Sequence, residues 1–289
     1  MVAAHELHRR QPPKMFVGFL AASAAAGLVA VPIVWTGTLG ATLAPSTSIN
    51  FLLLIGAIAF GLGALINDTC LLGSLARLGD GEMRLLALPL GLTIGILAAD
   101  HGRFGYDSTW PSLISKPSAT GLVTLLAFLV VLVLALVFVS TKSVLRTKPG
   151  WSFGASMIGL GITGGLLYAL SPAWTFADVI QRALPLRMSP AGRAHCGDLF
   201  DRRRPNRLLS PRQSASPTAT ANGILRSVVG GTLMGIGIAL IPGGNDGLIL
   251  AAVPTLSPGG IVAYLLMTTT IVFGFAARGK LFRRCLSRP

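Results

Sequence analysis

Charge is scarce in this sequence. Of its 289 residues 12% are Asp, Glu, Lys or Arg, and the acidic ones number 10. Soluble domains carry about a quarter charged residues, so a surface built to face water all round is excluded. Cysteine is also rare, with Cys70, Cys196 and Cys285 in three separate contexts. No CxxC pair and no cysteine–histidine spacing links them, which excludes a disulfide framework and a structural zinc site. No haem or dinucleotide motif is present, so neither a metal nor a cofactor is expected. The net charge is +14, yet no aromatic-interleaved basic motif or nucleic-acid module accompanies it, and nucleic acid is not an expected partner. The first apolar run follows basic residues but has no small-x-small cleavage site, and it reads as a retained helix.

Apolar residues make up 52% of the chain, and the mean hydropathy is +0.69. Long apolar runs cover residues 15–35, 51–66, 85–99, 121–140, 151–171, 224–241 and 260–277. A helix needs about 20 apolar residues to cross a hydrocarbon layer about 30 Å thick. The expected fold is therefore an all-α integral membrane protein, a multi-span helical bundle. Runs 51–66 and 85–99 are short and read as tilted or incomplete spans. Run 151–171 is rich in glycine, which suits a tightly packed span or a re-entrant hairpin.

Basic residues lie between and beyond these runs, as membrane topology demands. His5, Arg9, Arg10 and Lys14 precede the first run, and residues 36–50 contain no Lys or Arg, which places the N-terminus in the cytoplasm of a bacterial inner-membrane protein. The expected division is a cytoplasmic arm (1–14), a first membrane half (15–171), a basic, Pro- and Ser-rich disordered linker on the cytoplasmic side (172–223), a second membrane half (224–277) and a basic cytoplasmic tail (278–289).

The halves share a pattern. Gly61-Leu-Gly-Ala-Leu-Ile66 runs into Asn67-Asp-Thr-Cys-Leu-Leu-Gly73, and Gly235-Ile-Gly-Ile-Ala-Leu-Ile241 runs into Pro242-Gly-Gly-Asn-Asp-Gly247. Each is a glycine-spaced helix that stops at a polar, turn-prone cluster and restarts as an apolar stretch. On this topology the first such helix runs inward and the second outward, an inverted repeat with broken helices at matching positions. That pattern points to a transport site near the bilayer midplane.

Within the break, Cys70 stands near the start of a short helix expected from about Thr69, where free N–H groups favour an anion and activate a thiol. The alternative for Cys70 is a buried small apolar residue. Asn67, Thr69 and Asn245 are further candidates, with Asp68 and Asn245 expected to cap the broken ends. Gly243 and Gly244 can turn N–H groups inward as an anion nest. Asp246 is the candidate for proton or cation coupling, since ionisable residues at this depth are expensive and default to function. Arg77 is expected as an ordinary basic anchor, the alternative being that it attracts or pairs with an anion on the cytoplasmic side.

The strings 67–81 and 234–247 resemble those of the YeeE/YedE family of sulfur-compound transporters. That resemblance implies a pseudo-two-fold helical membrane protein that imports thiosulfate or a related sulfur anion, with intramembrane cysteines contacting the substrate in turn. Cys70 alone has a matching motif position here. The resemblance also makes a small cytoplasmic sulfur-carrier protein the expected receiver. Two other classes stay open on the residues alone: a membrane sulfurtransferase or redox protein using Cys70, and a non-transporting structural subunit.

Overall fold

In a computed structural model, the described residues are 13–37, 40–101, 109–142, 152–171, 180, 220–241 and 243–286. They form α1 (Lys14–Trp35), β1 (Ser46–Thr47), α2 (Phe51–Asn67), α3 (Leu71–Gly79), a 3-10 turn (Met83–Ala87), α4 (Leu88–His101), β2 (Thr109–Trp110), α5 (Ala119–Lys142), α6 (Phe153–Leu170), α7 (Ala221–Leu240), α8 (Asn245–Gly247) with a π-helical turn (Leu248–Ala252), and α9 (Pro258–Leu286). Five helices are long and apolar enough to cross a membrane: α1, α5, α6, α7 and most of α9. The chain is a multi-pass membrane protein. On α5, Leu126, Val130, Leu134 and Val137 are all exposed, an apolar face suited to a membrane interior.

Side chains cap several helix starts. The Asn50 side chain accepts from the Leu53 N–H at 2.7 Å ahead of α2, and Ser152 and Thr220 do the same for α6 and α7. The glycine-rich α6 is one continuous helix, and so it is a packed span rather than a hairpin. Its Gly161 and Gly165 rest on Ala22, Ala25 and Ala26, which sets α6 parallel to α1.

Around α7 the packing depends on absent side chains. Lipid offers helices no hydrophobic drive to associate, so close backbone approach at small residues supplies much of the attraction. A Cβ on Gly63 would stand 2.6 Å from the Gly230 carbonyl oxygen, and one on Gly230 would stand 2.9 Å from that of Gly63. Gly56 and Gly237 repeat this relation further along, so α2 and α7 run antiparallel. On its other side α7 meets α4 in parallel, with Gly231 beside Gly91 and Gly235 beside Gly95. Reciprocally, α9 meets α2 in parallel, with Gly61 against Met267 and Thr270 and Gly274 against Leu65.

Helix α7 begins at Ala221, capped by Thr220, just ahead of the second membrane half expected from 224. Helix α9 runs through Leu286, and its membrane-length apolar part ends at Ala277, where the basic tail was expected to begin. Ser171, ending α6, and Thr220, starting α7, stand at opposite ends of the bundle. The residues between them, apart from Ile180, lie outside the described part, as do Cys196, Pro242 and the arm before Pro13.

At one end of the bundle β1 pairs antiparallel with β2. The Thr47 N–H donates to Ser257 Oγ at 3.1 Å, the Gly260 N–H reaches the same oxygen, and Ser112 Oγ donates to the Thr255 carbonyl at 3.0 Å. These bonds hold the ladder against the start of α9. Ser257→Ala would orphan two buried N–H groups, at a cost of about 1–3 kcal/mol each. A lower melting temperature than the parent in detergent is the expected result. At the other end lie Lys14, Arg77, Arg84 and Arg226, which make it the basic face.

Candidate functional site

Helix α2 ends where its sequence stops supporting it. Asp68 takes a left-handed conformation (φ 60°), which short polar side chains tolerate, and the chain turns away from the helix axis. Thr69 is buried, its Oγ1 donating to the Cys70 carbonyl at 3.2 Å. Cys70 is extended and caps α3, which begins at Leu71, two residues later than the sequence suggests. Its backbone carbonyl accepts from the Ser74 N–H at 2.8 Å and from Ser74 Oγ at 2.9 Å. The thiol takes no part in the capping and is half-buried.

Asn67 is fully buried and its Nδ2 donates to Ser74 Oγ at 3.3 Å. The Ser74 hydroxyl hydrogen is committed to Cys70, so its oxygen can only accept. This fixes the Asn67 amide and leaves Oδ1 buried without a partner among the described residues. A ligand or water that donates a hydrogen bond would relieve that cost.

In the second half α7 stops at Ile241, and Gly243 takes φ 77°, a conformation glycine adopts without strain. Gly244 precedes α8. A Cβ there would stand 2.9 Å from Asp246 Oδ1 and 3.1 Å from a Leu71 methyl, so this glycine lets the second break close on the first. The two broken ends meet: the start of α3 abuts the turn that leads into α8. A cavity of about 120 Å³ lies between α1, the π-helical turn and α9, lined by Phe19, Ser23, Ile249 and Tyr264 among others.

Asp68 stands at the C-cap of α2, one of the broken ends where capping was expected, and its carboxylate pairs with Arg226. Asn245 is the first residue of α8 and Gly244 its cap, so capping is not the part Asn245 plays. Arg77 lies far along α3, exposed, 3.8 Å from Glu82. Asn67, Thr69 and Cys70 are brought together, with Gly244 and Asp246 close by.

Sequence reasoning missed Ser74, Tyr264, Arg84 and Arg226. Arg84 donates to the Asn67 carbonyl at 3.5 Å and to Glu82 at 3.2 Å. Arg226 donates from Nε at 3.2 Å and Nη2 at 2.9 Å to the Ile66 carbonyl, capping α2 from the opposite half. The signal for Arg226 was its place inside an apolar run, where a charge is costly. Ser74 had none, being one serine in an apolar stretch.

A family model described as Sulphur transport matches residues 2–177 and 209–273. No curated protein matches the chain.

Proposed function

The chain belongs to the YeeE/YedE sulphur transport family, and from that premise we propose that it imports a small sulfur-containing anion, thiosulfate or a close relative, through the bacterial inner membrane. The observation that carries the reading is the meeting of two broken helices, with Leu71 at the start of α3 against Gly244 ahead of α8 and Cys70, whose thiol makes no capping bond, next to Leu71. The reciprocal packing of α2 with α9 and α7 with α4 supports an inverted repeat, the architecture that lets one half rock against the other around a fixed site. The basic face is the cytoplasmic one, so both Lys14 and the end of α9 face the cytoplasm.

On this reading Cys70, Asn67, Thr69, Gly243, Gly244 and Asn245 contact the anion or shape its path, and Asp246 serves the coupling ion. The first N–H groups of α3 and the thiol hydrogen supply donors to an anion, while the polarizable thiol suits a sulfur terminus. A cytoplasmic sulfur carrier is the proposed receiver.

Purified protein in liposomes should take up labelled thiosulfate above empty liposomes, with unlabelled thiosulfate competing. Flux equal to that of empty liposomes, with insertion confirmed, would sink the reading.

A further inference from the structure

We propose that Arg226 is a positioning residue of the Cys70 site: reaching from α7 in the second half, it neutralises Asp68 and clamps the broken end of α2, so that an anion can lodge beside a carboxylate. The inference rests on the anion-transport reading. It starts from a conflict that the sequence contains. Asp68 is two residues from Cys70, and an ionised carboxylate there opposes the ligand that the first turn of α3 would attract.

The geometry resolves the conflict. The Arg226 guanidinium pairs with Asp68 Oδ2 and at the same time donates two hydrogen bonds to the Ile66 carbonyl. Its planar fork makes both contacts at once, which a lysine ammonium on a flexible stem does less well. The pair is partly exposed, at 46% for Arg226 and 35% for Asp68, so its contribution to stability is modest. Its electrostatic effect is not correspondingly small, because a unit charge several ångströms away at an effective dielectric near 20 changes an anion's local concentration by roughly tenfold or more. Arg84 pairs with Glu82 at 3.2 Å and Arg77 lies 3.8 Å from the same glutamate, which leaves one positive charge over, and Asp246 stands beside Gly244. These groups are common to every variant below, so differences between the variants report Asp68 and Arg226.

The test reads the potential at the thiol directly. In the full chain, with Cys196→Ser and Cys285→Ser, the rates of Cys70 labelling by an anionic and a neutral methanethiosulfonate of similar size are compared. Arg226→Gln should lower the anionic-to-neutral ratio about tenfold, Asp68→Asn should raise it by a similar factor, and the double variant should return close to the parent. Uptake gives a second readout: the half-saturating thiosulfate concentration should rise for Arg226→Gln and recover in the double variant. If both reagents speed up or slow down together in every variant, the pair acts on structure alone and the proposal is overturned. The labelling ratio does not depend on transport. A shifted ratio without uptake in the parent would reject the transport reading and keep this one, and uptake with an unmoved ratio would do the reverse.

Discussion

Gly63→Leu should leave almost no assembled protein in the membrane. The Gly63–Gly230 contact is a backbone against a backbone, since a Cβ on Gly63 would come within 2.6 Å of the Gly230 carbonyl oxygen and 2.7 Å of the Met234 side chain. No rotamer change can relieve a clash with main chain, so the whole of α2 must move off α7, and with it the break that carries Cys70. The milder Gly63→Ala should cost about 1–3 kcal/mol, the usual penalty for forcing atoms into a closed interface. Gly230→Ala meets the same interface from the other side. The double alanine variant should therefore cost less than the sum of the singles, because the helices need to separate only once. Gly79→Ala provides the contrast. Nothing lies within 4 Å of a Cβ there, and alanine favours helix, so no loss is expected. Membrane yield reads out Gly63→Leu, and thermal unfolding of detergent-solubilised protein, followed by size-exclusion recovery, measures the four alanine variants.

Cys70→Ala should cut sulfur-anion uptake by about 10- to 100-fold while leaving the fold intact. Capping of α3 uses the Cys70 backbone and the Ser74 hydroxyl, and the thiol is not among its hydrogen bonds. Removing the sulfur therefore takes away a ligand contact and little structure. A hydrogen bond to a charged partner contributes about 1.5–3 kcal/mol, which sets the size of the effect. Cys70→Ser keeps a donor and loses the soft sulfur, so an intermediate rate is the expected result. A loss of expression in Cys70→Ala would instead assign the residue to packing.

The fold was legible where composition alone decides it. Long apolar runs became the spanning helices within a few residues, and the short runs 51–66 and 85–99 became α2, of 17 residues, and α4, of 14. The glycine spacing that marked the repeat turned out to be the contact surface itself: Gly61 rests on Met267, and Gly235 on Leu92 and Gly95. The break was legible too, since Asn67-Asp-Thr-Cys70 cannot continue a helix through lipid without partners. Partner choice was not legible. Asp68 stands at the end of α2, and nothing near it in the sequence names the arginine that pairs with it, far along the chain on α7. Asn67 looked like a ligand, and its fixed amide appears only when Ser74 is folded back onto Cys70. Residues joined across halves leave no local trace in sequence.

The most direct test of the central claim is growth of a sulfur-auxotrophic bacterium, lacking its own importers, on thiosulfate as sole sulfur source, with this chain or its Cys70→Ala variant at matched membrane expression. The account predicts growth with the parent and little or none with the variant. No growth with the parent, despite confirmed insertion, would contradict thiosulfate import, and equal growth with both would remove Cys70 from the path.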